Sequence, residues 1–126
     1  MRTKLALRTT LALATAAVTL TLAAPAQAST GASYIGDGYP NGYNSVHCVQ
    51  TILNDWVANV VGDSGARVQE DGIWGPKTKA LVVRYQTVQS HSNPSVVPDG
   101  IVGRITGDIM IYSNTQPCYK YIPTMY

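Results

Sequence analysis

"DGIWGPKT", residues 71–78, decides how this chain is read, because "DGIVGRIT" writes the same frame again at residues 99–106. Asp, Gly, Ile, Gly and Thr recur in register, 28 residues further on. Each frame meets one structural need: to enter a helix sharply from a turn. The Asp carboxylate can accept from backbone N–H groups close by, and the Gly after it permits positive φ. Ile supplies an apolar plug, and the second Gly lets the backbone approach closely. In the first frame Pro76 suits the first helical position. Thr falls in the first turn, where its hydroxyl can satisfy a turn or helix-end group. Asp71, Gly72, Gly75 and Thr78, with Asp99, Gly100, Gly103 and Thr106, are therefore read as structural turn residues. A calcium loop would need alternating oxygen ligands and a closing Glu, which neither frame has.

Working outward, apolar residues upstream fall at Val46, Val49, Leu53, Trp56, Val57 and Val60. That three-four rhythm predicts a helix, with Asn44 or Ser45 as its N-cap and Gly62 and Gly65 ending it. The first frame opens a second helix, running to about Ser90. Its expected inner face is Thr78, Leu81, Val82, Tyr85 and Val88 or Gln89. "SHSNPSVVP" reads as a loop, and the second frame opens a third helix to about Tyr112, with Ile105, Ile109 and Tyr112 inward and Asn114 and Pro117 as stops. Three helices and little strand signal predict an all-α fold, a compact three-helix bundle spanning residues 45–112. Residues 29–44, rich in Gly, Ser, Asn, Pro and Tyr, read as an irregular arm; residues 113–126 read as a C-terminal tail.

Residues 1–28 read as a secretory signal peptide. Arg2, Lys4 and Arg8 precede an apolar stretch that ends in Ala26-Gln27-Ala28, a small-x-small cleavage pattern. Cleavage there would leave six cations against seven acids, a net charge of −1. No basic stripe survives, which argues against a nucleic-acid partner, and no second apolar stretch is long enough to hold a membrane once the signal is removed. A monomer is expected. In an exported chain Cys48 and Cys118 read as one disulfide. It would tie the tail back to the first helix and, by loop entropy, contribute roughly 4 kcal/mol.

The frames also sit within a wider pattern. Val46, Val49-Gln50 and Leu53, then "DGIWGPKT", then Leu81 and Tyr85-Gln86, then "DGIVGRIT", resemble the peptidoglycan-binding domain of the family-1 type. The resemblance covers about residues 45–112. It implies a small three-helix bundle and a non-catalytic module, often found beside a cell-wall hydrolase, that binds bacterial wall. The longer spacer before Asp99, the cysteine pair and the tyrosine-rich flanks lie outside the family's common pattern and suit a stand-alone secreted version.

The residues give little basis for turnover. His47 and His91 make a poor zinc set, so no metal or other cofactor is expected. No G-x-S-x-G nucleophile motif appears. Glu70 is the only Glu, whereas glycosidases need two carboxyl groups across a cleft. Sugars and peptides bind through flat apolar faces with a few polar groups in a concavity. Trp74, Arg84, Tyr85, Gln86, His91 and Asn93 are the candidates. Each has a structural alternative: Trp74 and Tyr85 as core, Arg84 as a solvated helix face, Gln86, like Gln50, as a partner of the turns. Three readings follow. The first is a secreted, wall-associated module binding peptidoglycan through glycan or stem peptide. The second is an interaction module that binds or inhibits a cell-wall hydrolase, motivated by Tyr34, Tyr39, Tyr43, Tyr119 and Tyr121. The third is a small wall-lytic enzyme using Glu70 with an Asp.

Overall fold

A computed structural model describes residues 31–113 and 118–126. The signal-peptide reading, and Asn114 and Pro117 as helix stops, lie outside the described residues. The fold is all-α: α1 is Tyr43–Trp56, α2 Pro76–Ser90 and α3 Arg104–Tyr112. No described helix is long and apolar enough to cross a membrane.

All three helices are entered through glycine. Gly42, Gly75 and Gly103 hold extended backbone, and their carbonyls accept the first helical bonds from Val46, Lys79 and Gly107. Asn44 and Ser45, expected to cap α1, instead sit inside its first turn. Tyr43 explains the earlier start: its ring packs over Gly72 and stacks on His47, one turn on, at 5.8 Å.

The core is Val46, Val49 and Leu53 of α1, with Val57 just beyond it, against Leu81, Val82 and Tyr85 of α2, closed by Met110 of α3. Trp56 meets Tyr85 edge to face at 5.2 Å, a geometry favoured by the ring quadrupoles. Beyond Trp56 the helix widens into a π turn, Val57–Val61, sealed by the Gly62 N–H on the Val57 carbonyl (2.8 Å) at φ 71°. The five-residue closure carries Val60 off the inner face, to 67% exposure. The α2 face also differs from expectation: of Val88 or Gln89, Val88 is exposed and Gln89 half-buried, while Gln86 is fully buried, because Gln86 has turn groups to satisfy. Tyr112 lies in the last turn of α3 and is 95% exposed; Thr106, Gly107 and Met110 are the buried residues there.

Arm and tail both join this body. Ile35 is buried and pairs with Val102 in an isolated antiparallel bridge, each N–H donating to the other's carbonyl (3.2 and 2.8 Å). Cys48 and Cys118 are bonded as expected. The tail beyond buries Ile122 and lays the Pro123 carbonyl against Gly107, where a Cβ would have no room.

Candidate functional site

Each repeated turn closes on a glutamine from the helix before it. Gln50 Nε2 donates to Asp71 Oδ1 (2.9 Å), the Ile73 carbonyl (3.1 Å) and Thr78 Oγ1 (3.2 Å). Its Oε1 accepts from the Gly72 N–H at 2.8 Å. Gln86 repeats the pattern: Nε2 donates to Asp99 Oδ1 (3.2 Å), the Ile101 carbonyl (2.8 Å) and Thr106 Oγ1 (3.2 Å), and Oε1 accepts from Gly100 N–H (2.8 Å). In both, the Asp Oδ1 also accepts from the Ile two residues on. Gly72 and Gly100 adopt φ of 68° and 76°, the left-handed backbone that glycine takes without penalty. The repeated frame positions are thus consumed by structure. Asp71 is held below the usual aspartate range by the Ile73 N–H and the Gln50 amide.

What surrounds the turns differs. The second is covered by the arm, with Val102 fully buried against Ile35. At the first, the matching position is Trp74, half-buried, whose indole Nε1 donates to Asp37 Oδ1 of the arm (2.9 Å). Lys79 pairs with the other oxygen of Asp37, and these contacts, Lys79 first, draw the Asp37 carboxyl down. The other side of the first turn is open. A groove of about 530 Å³ runs along it, bordered by Gln69, Ile73, Pro76 and Lys77. It shares Arg67, Val68 and Lys77 with a neighbouring groove of about 360 Å³ that continues along α2 past Ala80 and Leu81 to Arg84.

The six candidate ligand residues are not brought together. Tyr85 and Gln86 are buried: Tyr85 packs on Trp56 and borders a separate pocket of about 350 Å³ with Val88 and Gln89, and the Gln86 amide is committed to the second turn. Burial raises the pKa of the Tyr85 hydroxyl, against the smaller, lowering effect of Ser113 and Gln89 beside it. His91 and Asn93 close the far end of α2, through the contact of His91 Nδ1 with the Thr87 carbonyl (2.8 Å) and the Ser95 N–H donated to Asn93 Oδ1 (3.1 Å). Trp74 faces the arm. Arg84 alone lines the groove along α2. Its companions Arg67 and Lys77 were absent from the sequence candidates. Part of the signal was legible: Lys77 and Arg84 are seven residues apart, two turns of one helix, and so share a face. The position of Arg67 opposite them depends on the path of the loop.

Glu70 is fully engaged. Asn54 Nδ2 donates to Oε1 (2.9 Å) and Thr51 Oγ1 to Oε2 (2.8 Å), and chiefly through Asn54 its carboxyl lies below the usual range. A general acid for glycoside cleavage needs the opposite shift. Among the described residues no group of three His, Cys, Asp or Glu gathers as metal ligands. No family model matches the chain, and comparison with curated proteins and with solved structures returns no match.

Proposed function

We propose that this protein is a secreted, non-catalytic module that binds bacterial cell-wall peptidoglycan at the open groove beside its first turn. The observation that carries the reading is the asymmetry of the two turns. Both use one bonding scheme and both border a groove, yet among the described residues only the grooves at the first are lined by cations that form no ion pair, Arg67, Lys77 and Arg84. The wall as target is supported by the resemblance of the doubled frame and its two glutamines to peptidoglycan-binding domains. Export is supported by the disulfide, which belongs to oxidising compartments. Binding without turnover is supported by Glu70, whose lowered pKa keeps it ionised.

The test is co-sedimentation of the oxidised protein with purified peptidoglycan, followed by turbidity. Retention in the pellet with no clearing is expected. Failure to sediment would remove the wall as ligand, and clearing abolished by Glu70→Gln would establish a lytic enzyme instead. A second reading, docking onto a wall hydrolase, is favoured by one feature. Tyr34 and Tyr39 pack together at 5.6 Å and border, with Val97, a groove of about 240 Å³ beside the second turn. Capture of a hydrolase lost on Tyr39→Ala, without retention on bare wall, would favour that reading.

A further inference from the structure

Resting on the wall-binding reading, we infer that the groove reads the carboxylates of the peptidoglycan stem peptide rather than the glycan strand. The described residues carry six cations, and three of them have partners elsewhere. Lys79 is paired with Asp37, Arg104 makes an interaction of its own, and the Lys120 ammonium lies 5.4 Å from the Tyr121 ring centre. The other three, Arg67, Lys77 and Arg84, form no ion pair, and all three line the one groove along α2. No carboxylate lines that groove; Asp71, bonded within the first turn, borders the one that adjoins it. Glu70, whose field Arg67 feels, has both oxygens engaged by Asn54 and Thr51, so it does not fold over the guanidinium. Concentrating unneutralised positive charge in one cleft, among described residues that carry seven acids against six cations, is unfavourable by itself. It becomes useful when an anion is the ligand.

The spacing narrows the class. Seven residues of helix separate Lys77 from Arg84, about 10 Å along α2 at 1.5 Å per residue. An extended peptide covers that distance in about three residues at 3.3–3.6 Å each. The floor between the charges is small and aliphatic: Ala66, Val68, Ala80 and Leu81. A short peptide bearing methyl side chains and carboxylates about three residues apart meets both features. Stem peptides have that chemistry, whereas the glycan that carries them has its lactyl carboxyls tied up in amide bonds. Arginine adds forked donors suited to bidentate carboxylate contact.

The experiment compares a synthetic stem pentapeptide, whose second-residue and C-terminal carboxylates lie three residues apart, with the same peptide carrying carboxamides in place of its carboxylates. Each is titrated into the oxidised protein by NMR. In parallel, retention on peptidoglycan stripped of anionic polymers is measured for the native protein and for a K77E/R84E double variant. Lys77 lies in the first turn of α2, where a Glu favours the helix dipole, so the variant should fold, and its circular dichroism confirms this. The carboxylate peptide is expected to shift the amides of Arg67, Lys77, Ala80 and Arg84, and the carboxamide peptide to leave them in place. Retention of the double variant should fall by about tenfold or more, and native retention should fall near 1 M salt, where screening acts over about 3 Å. Equal binding of both peptides, or full retention of the variant, overturns the inference while leaving wall binding intact. Retention only on wall that keeps its phosphodiester polymers overturns it in favour of those polymers. No retention on any wall overturns both readings.

Discussion

The two turns of this protein share five hydrogen bonds and almost nothing around them. Gln50 reaches forward 21 residues to Asp71, and Gln86 reaches 13 residues to Asp99. The bonds that result match atom for atom. The scheme is therefore insensitive to the length of chain it spans: a buried amide satisfies a glycine N–H, a carbonyl, a threonine and an aspartate wherever the helix axis delivers it. The extra residues of the first interval are free to do something else. They form the π turn, a short helical turn at Ser64–Ala66 and the strip that carries Arg67 and Val68 to the edge of the groove. The shorter second interval leaves a tight turn that the arm covers. One copy of the motif is covered on one side by the arm, and the other lies beside a cationic cleft.

The largest effect should come from the bridge that supports the buried copy. Replacing both Cys48 and Cys118 by Ser is expected to cost about 2–5 kcal/mol, measured by urea denaturation. The loss should be uneven. The tail carries Ile122 into the core and lays Pro123 on Gly107 of α3, so the second turn should open first. Hydrogen exchange at Gly100 should accelerate more than at Gly72. Equal acceleration would show that the two turns are one cooperative unit and that the asymmetry is confined to the surface.

The glutamines allow a more direct comparison. Gln50→Ala and Gln86→Ala each strand a buried glycine N–H and an acceptor set, a loss of about 1–3 kcal/mol. Gln86→Ala should lie at the upper end, because Val102 and the arm keep water from the vacated site. Gln50→Ala should lie lower, because the first turn adjoins an open groove through which water can replace the amide. The two denaturation midpoints test the order. A reversed order would mean that the groove side is the better-packed side and that the open copy is the structural one.

The bundle itself was legible in the sequence because its signals are local. Gly75-Pro76 marks the entry to α2, the apolar rhythm marks the inner face of α1, and the doubled frame identifies the turns. Two cysteines leave one intramolecular pairing. What was not legible depends on interactions between segments. Val60 follows the helical rhythm, but a π turn, whose bonds close one residue later, has no periodic signature. Gln86 is readable as a partner of the turns, and its bonds to the second turn bear that out; its complete burial becomes favourable only with the arrival of Asp99 and Gly100 beneath it. The arm shows no period, yet Ile35 is a core residue because Val102 offers it an unpaired edge. The groove was the least legible feature: Arg67, Lys77 and Arg84 are ordinary surface cations until the 67–69 strip runs beside α2.

The smallest effect is electrostatic and belongs to the open turn. The Asp71 carboxyl lies below its ordinary value of 3.8 because the Ile73 N–H, and then the Gln50 amide, donate to it. Those bonds favour the ionised form in the folded chain. Their contribution is therefore complete above the ordinary aspartate value and is lost as pH falls through the lower, folded one. Asp71 is exposed, so the change should be modest and confined to the turn rather than an unfolding event. The Ile73 amide resonance, followed by NMR during acid titration, should move with a midpoint below 3.8. Asp71→Asn should flatten that titration while keeping the Gln50–Gly72 bond, since the amide oxygen of Asn can still accept from Ile73. A midpoint at or above the ordinary value would mean that the turn's bonds act on geometry alone. The first copy would then be held, like the second, by its buried glutamine and not by its charge.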